Sequence, residues 1–324
     1  MALVVAHTGY SPYLEFTLRQ ARAASPSSDL ILLGDPSNDR FPFVHHVDTT
    51  TARYRAAAAD IGAVYRHMSS NRSAFELSCF ERWFRIREFV ESEGLGEVLA
   101  LDSDVLLYSP EAEIHRTHLA GATMGVSHPR DQEDYAWTTS PHVSFWTAPR
   151  LSDYCDFIVR SYADDRQRAP LEEKWRHHLD TGARGGVCDM TALHLYAGAR
   201  GGAELPDGVA NLVAVRDRTA FDLNFSVPNN EWRGEYAMSG PTKAIHWEDG
   251  QPHGRSVQTG ESVRFHGLHL QGHAKAKIPA MYRGPAFPSM DRIRRQLRVQ
   301  YAAREVASRV LQPARLLGQR LRGG

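Results

Sequence analysis

Cysteine is scarce. Cys79, Cys155 and Cys188 stand far apart in 324 residues, which excludes a disulfide framework and a CxxC zinc site. A reducing cytoplasm is the expected setting. Lysine is rarer than its partner base: only four of the 38 basic residues are Lys. No run reaches the about 18 consecutive apolar residues of a membrane-spanning helix. The opening Met1–Gly9 is too short and too uncharged to read as a secretory signal, which again points to the cytoplasm. An excess of one charge is missing as well, since 38 acidic residues balance the 38 basic ones.

That balance hides an asymmetry. Residues 291–324 hold nine Arg against Asp291 and Glu305, so the preceding body carries 29 basic against 36 acidic groups. A mildly acidic body is a poor match for a polyanion, and nucleic acid is excluded as a partner. The basic end is where an anionic surface would dock.

Hydrophobic patterning alternates between strand and helix. Ala2–Ala6 is a short apolar run suited to a strand buried on both faces. Ser11-Pro12 reads as a helix start, and Leu14, Leu18 and Ala21 recur at helical spacing. Leu30–Leu33 is a second run. Strand, helix and strand make a βαβ unit and hence a parallel sheet. Tyr54, Ala58, Ile61, Tyr65 and Met68 form a further helical stripe. Ser73-Ala-Phe-Glu76 has the pattern of a capping box, opening a helix with Phe75, Cys79, Trp83, Ile86 and Val90 on one face. Val98–Leu101 is a third buried strand and runs straight into Asp102-Ser103-Asp104. Later, 122–126, 143–146, 244–247 and 263–268 read as strands, and 150–163 and 187–198 as helices. Residues 279–288 are rich in Pro and Gly and read as a linker. No internal repeat appears.

Two constellations carry chemistry. Asp102-x-Asp104 follows a buried strand, and in open α/β sheets ligands bind at that edge. Two neighbouring carboxylates repel unless a cation neutralises them, and Mn²⁺ or Mg²⁺ suits oxygen ligands. The plain alternative is a polar loop. Far downstream, His269-Leu-Gln-Gly272-His-Ala-Lys275 spells H-x-x-G-x-x-K. An imidazole can ligate Mn²⁺, a glycine lets backbone approach a phosphate, and a lysine meets a diphosphate as a point charge. The alternative here is a His-rich surface loop, with His266 and His273 alongside.

These two motifs, the N-terminal βαβ and the helix before the Asp102 strand resemble the GT-A glycosyltransferases. The likeness is to the retaining family of glycogenin and the bacterial lipopolysaccharide galactosyltransferases, over roughly residues 1–285. The resemblance implies an α/β, Rossmann-like fold: a mixed, mostly parallel sheet flanked by helices. It implies a catalytic domain over 1–285, with 286–324 as a basic amphipathic helical tail. It implies a nucleotide-sugar donor, a UDP-sugar by preference, held through Mn²⁺ or Mg²⁺ by Asp102, Asp104 and His269. Gly272 and Lys275 would hold the diphosphate, with Ser103 beside it. Ala6, His7, Thr8 and Tyr10 would line the nucleoside pocket. Arg82 would reach the donor phosphate or sugar; otherwise it is a surface partner of Glu81 or Glu88. Asp189, in Cys188-Asp189-Met190, would be the carboxylate at the sugar, a catalytic role shared with Asp104; otherwise it is a helix N-terminal carboxylate. The family's mid-chain Asn-x-Gly is absent near 141–144, and Ala276-Lys277 replaces a common Pro-Trp.

Bond cleavage at the anomeric carbon leaves negative charge on the diphosphate, which a divalent cation and Lys275 would stabilise. No carboxylate stands out as a base, so retention follows from the resemblance. Tyr135, Trp137, His142, His246 and Trp247 are candidates for the acceptor side, because aromatic faces stack on sugars; each would otherwise be a core residue. Ile293, Leu297, Tyr301, Val306 and Val310, then Leu316, Leu317 and Leu321 beyond Pro313, make an apolar stripe among arginines. Such a helix can lie on an anionic inner membrane leaflet or dock on the acidic body. The expected role is surface polysaccharide or glycolipid synthesis on a saccharide or lipid-linked acceptor. Two rival functions remain. One is a haloacid-dehalogenase-type phosphatase with Asp102 as nucleophile, Mg²⁺ as its metal and Asp164-Asp165 as a weak later acidic pair. The other is a non-catalytic nucleotide-sugar binding module.

Overall fold

The computed structural model describes residues 1–130, 132, 134–198, 205–226 and 235–303. Its first unit runs β1 (Ala2–Ala6), α1 (Leu14–Ala24), β2 (Leu30–Gly34) and β3 (His45–Asp48). Then come α2 (Ala52–Ala57), α3 (Ala59–Val64), α4 (Ser73–Ser92), β4 (Glu97–Leu101) and β5 (Val105–Leu107). The middle holds α5 (Glu111–Ile114), β6 (Met124–Ser127), β7 (Ser140–Thr147), α6 (Ala148–Ala163), α7 (Asp165–Thr181), α8 (Asp189–Tyr196) and β8 (Val209–Asn211).

A seven-stranded sheet has the order β3-β2-β1-β4-β7-β6-β8. Every neighbouring pair is parallel except the two that involve β7, so the sheet is mixed and mostly parallel. Alternation along each strand feeds both faces. Val4, Ile31, Val98 and Ala100 pack against α4 and α6 through Trp83, Ile86, Tyr154 and Ile158. Leu3, Val5, Leu32, Leu99 and Leu101 pack against Leu14, Leu18 and Ala21 of α1. The result is an α/β layered fold with helices on both sides, as the patterning predicts.

A second set of strands follows: β9 (Thr219–Ala220), β10 (Met238–Ser239), β11 (Thr242–Lys243), β12 (His246–Glu248), β13 (Gln251–Arg255), β14 (Ser262–Phe265) and β15 (Gly267–His269), before α9 (Ile278–Met281). Strands β12-β13-β14-β9 form one sheet, and β15 pairs antiparallel with β5. Leu106, Phe225, Phe265, Leu268 and Ile278 fill the core beneath them.

Several local expectations change. Helix α1 starts at Leu14, and Ser11 contributes only its carbonyl to the preceding turn. The stripe from Tyr54 to Met68 is two short helices broken at Ala58, with Tyr65 and Met68 beyond them. No capping box opens α4: Arg72 holds the cap position, and the Glu76 carboxylate is taken by Ser69 and Asn71 instead. Phe75 is exposed, while Phe80, Phe84 and Phe89 join Trp83 in the core. Helix α7 has no counterpart in the sequence reading, because its interior Pro170 and polar composition mask the period. Asp164 and Asp165 belong to its start: Asp164 caps it and Asp165 pairs with Arg168. The 279–288 stretch opens inside α9, where Pro279 occupies the first turn.

Residues 290–303 are helical, and Ile293, Leu297 and Tyr301 are buried with Phe16 and Phe287. The rest of the tail stripe, from Val306 to Leu321, lies outside the described residues. Among the described residues, no helix is long and apolar enough to cross a membrane.

Candidate active site at the carboxyl edge of the sheet

Asp102 follows the last residue of β4, next to the carboxyl end of β1. Its backbone N–H donates to the His142 carbonyl at 2.7 Å, which ties the turn to the start of β7. The turn returns the chain as β5, and β5 pairs with β15 so that Val105 faces His269. The Leu270 N–H then donates to the Asp104 carbonyl at 3.0 Å. This short ladder is what carries His269 to the carboxylates. Ligand atoms of Asp102, Asp104 and His269 all lie within 4.8 Å of one another, and His269 Nε2 is 3.6 Å from Asp104 Oδ1.

The set fits a divalent cation. His269 Nδ1 donates to the Leu223 carbonyl at 2.8 Å, which turns Nε2 to the carboxylate side. The ring stacks on His142, with centroids 4.1 Å apart and planes at 4°. Two carboxylates and one imidazole suit Mn²⁺ or Mg²⁺.

Protein cations face both carboxylates. Lys275 Nζ is 3.1 Å from Asp104 Oδ2. Burial works against the charge on Asp104, but His269 and Lys275 outweigh it and hold the carboxyl below its ordinary range. Burial likewise opposes the charge on Lys275, and Asp104 overcomes it, raising the ammonium above its usual value. Arg82 forks between Asp102 Oδ1 and Asp189 Oδ2, at 2.6 Å each. It is therefore not a surface partner of Glu81 or Glu88, which pair with Arg85 and Arg53. Asp189 opens α8, as its helix-start alternative implies, and it also accepts from the Trp83 indole at 3.3 Å. Arg82 thus brings Asp189 to the Asp102 side.

Tyr13 joins the remaining donor-side residues. Its hydroxyl lies 3.3 Å from Ser103 Oγ and accepts from Lys275 at 3.4 Å. His7 meets the Tyr13 ring edge-on, and its buried Nε2 has no partner among the described residues. Burial and then Lys275 lower its pKa, so the ring is neutral. Asn38 donates to the His7 carbonyl, and Asp35 accepts from the Gly9 N–H. Thr8 and Tyr10 are exposed, with Arg40 over the Tyr10 ring. Gly272 has φ of 58°, which favours glycine, and a Cβ there would meet nothing. Ala6, Arg82, Trp83, Asp102 and Pro141 line a small cleft that is partly open to solvent.

The acceptor candidates divide. Trp137 and Tyr135 sit in a loop with positive φ, and Trp137 lies parallel to His194 of α8. Thr139 N–H donates to the Met190 carbonyl, and Lys174 donates to the Ala136 carbonyl at 2.6 Å, so this loop is pinned beside Asp189. His142 is a correction: it is fully buried, donates to the Asp222 carbonyl and backs His269, so no acceptor reaches it. His246 and Trp247 are corrections too. Trp247 packs on Tyr108 and under Arg283, at the end of β5 away from Asp104, and His246 contacts Glu248, Ser262 and His253. The antiparallel hairpin of β12 and β13 carries them off.

Tyr13, Asp35, Asp222 and Lys243 were not singled out by the sequence. Asp222 is buried, accepts from the His269 N–H at 3.0 Å and pairs with Lys243. Lysine scarcity was a usable signal, because Lys174, Lys243 and Lys275 are all held inside or at this site.

No family model and no curated protein matches the chain. Solved structures do. A galactosyltransferase, LgtC, in complex with donor and acceptor sugar analogs is 17% identical over 69% of this chain and 76% of that one, with a TM-score of 0.41. Mouse xyloside xylosyltransferase 1 is 11% identical over 61% and 82%, with a TM-score of 0.38. The glycosyltransferase GlyE of Streptococcus pneumoniae is 15% identical over 54% and 43%, with a TM-score of 0.31. Likeness of this degree assigns no reaction.

Proposed function

We propose that this chain is a metal-dependent glycosyltransferase that moves a sugar from a nucleotide-sugar, a UDP-sugar by preference, to a saccharide or lipid-linked acceptor. One observation carries the reading: two carboxylates and an imidazole converge at the carboxyl edge of a mostly parallel sheet, with Lys275 against them. Asp102, Asp104 and His269 would hold Mn²⁺ or Mg²⁺, which when bound supplies charge stabilisation for a diphosphate leaving group.

The chain's own groups then act around the donor. Lys275 exchanges Asp104 for a diphosphate oxygen, keeping its positive charge where negative charge develops. Arg82 orients Asp189 toward the sugar and offers its guanidinium to the phosphates. Ala6, His7, Thr8 and Tyr10 border the nucleoside, and the unpartnered His7 Nε2 supplies a hydrogen bond to it. Ser103 and Gly272 flank the diphosphate. Tyr135 and Trp137 form the acceptor platform beside Asp189. Asp102, Asp104 and Asp189 all face cations, so none is spare as a general base; this supports retention, with the acceptor proton passing to a leaving phosphate oxygen.

The test is a screen of nucleoside-diphosphate sugars for hydrolysis with and without Mn²⁺. Asp104→Ala and His269→Ala should each lower the rate by about 100-fold or more. Activity that survives both changes overturns the site. Release of inorganic phosphate from sugar phosphates, with no nucleoside diphosphate formed, would favour the phosphatase; donor binding without turnover would favour the binding module.

A further inference from the structure

The geometry points to a second metal site, built for Zn²⁺ or a similar imidazole-preferring divalent cation, on the hairpin formed by β12 and β13. Its ligands are His246, Glu248 and His253, and their ligand atoms all lie within 4.8 Å of one another. His246 and Glu248 are two apart on one strand and share a face, while His253 stands directly opposite His246 across the ladder. The opposite face is occupied, since Trp247 packs on Tyr108 and Arg283. Sheet periodicity alone therefore puts the three ligands together.

The spacing suits the ion. His246 Nε2 is 3.1 Å from Glu248 Oε1, and His253 Nε2 is 3.7 Å from Glu248 Oε2. Bonds of about 2.0–2.1 Å at tetrahedral angles put neighbouring ligand atoms about 3.3 Å apart, close to these two distances. Ser262 of β14 lies 3.0 Å from His253 Nδ1, fixing that ring so that Nε2 faces Glu248. Arg264, paired with His253 across β13 and β14, is bound to Glu113. His246 and Glu248 are open to water, which would complete the coordination. Two imidazoles and one carboxylate prefer Zn²⁺, Ni²⁺ or Cu²⁺ over the oxygen-seeking Mn²⁺ and Mg²⁺, so this site and the Asp102 cluster differ in ion. A bound ion would clasp the hairpin beside β14, whose chain continues directly into β15 and His269.

The experiment uses the full chain carrying Asp104→Ala and His269→Ala, which removes the other cluster. Zn²⁺ is titrated against it in competition with a chromogenic chelator. One Zn²⁺ per chain is expected, with affinity falling more than about tenfold when His246→Ala and His253→Ala are added. Co²⁺ replaces Zn²⁺ in parallel, because its visible bands report the coordination number and geometry of the bound ion. His246 is exposed, so His246→Ala alone serves if the double change impairs folding. Failure to take up Zn²⁺, or unchanged uptake and Co²⁺ spectrum after loss of His246, overturns the site.

Discussion

Asp222 is buried with two donors on its carboxylate, the His269 backbone and the Lys243 ammonium. Lys243 is equally buried and also donates to the Asn224 carbonyl. Removing one member of such a pair leaves an uncompensated interior charge. Lys243→Met is therefore expected to cost about 3 kcal/mol, measured by urea unfolding, and to weaken Mn²⁺ binding through the loosened His269. Unchanged stability would mean that Asp222 finds another donor or a proton. The Asp102-x-Asp104 and His269/Gly272/Lys275 residues were readable because their chemistry is carried by type and spacing. Asp222 and Lys243 were not, since each is an ordinary residue whose partner lies elsewhere in the chain.

At the scale of elements, β1 and β2 end side by side and create the donor edge. Gly34, at the end of β2, leaves no room for a side chain: a Cβ would lie 2.6 Å from Asn38 Nδ2 and 2.8 Å from the His7 carbonyl oxygen. Gly34→Ala should destabilise the fold by about 1–3 kcal/mol and weaken donor binding, because His7 is displaced. Binding measured by calorimetry checks it, and an affinity equal to the parent's removes His7 from the pocket. Strands β1, β2 and β4 were legible as compact apolar runs. Helix α7 was not, because Pro170 and a polar surface erase the period that burial of Leu171 alone does not restore. The two-residue strands were equally hidden, since tertiary pairing rather than local preference makes them.

Across the whole molecule, acid stability depends on histidines kept neutral by burial. Burial lowers His118 to about 4, helped by Arg216, and His266 to about 3, helped by His118 and Arg264. Their rings meet edge-on, 5.0 Å apart. Both folded values lie below the ordinary 6.5, so the unfolded chain takes up protons first. Stability is fully present above pH 6.5 and falls toward pH 4, by up to about 1.4 kcal/mol per pH unit for each group. Urea midpoints across that range measure the slope, and His266→Asn should make it shallower; an unchanged slope contradicts the assignment. The C-terminus divides by the same logic of burial. Ending the chain at Ser289 uncovers Phe16 and Phe287 and should cost on the order of 5 kcal/mol. Ending it at Ala303 removes five of the nine tail arginines and keeps Ile293, Leu297 and Tyr301 in the chain. The shorter cut should reduce partition into anionic vesicles. Equal partition would remove the membrane from the proposed acceptor side.

By itself the sequence determined the layered α/β class and the two motifs, because apolar periodicity and residue chemistry are local properties. Only the tertiary structure decided which residues share a site. The β5–β15 ladder brings His269 to Asp104, Arg82 ties Asp189 to Asp102, and the hairpin of β12 and β13 carries His246 away. Those placements depend on strand register and on buried charge finding its counterion, and both are settled between segments distant in the chain.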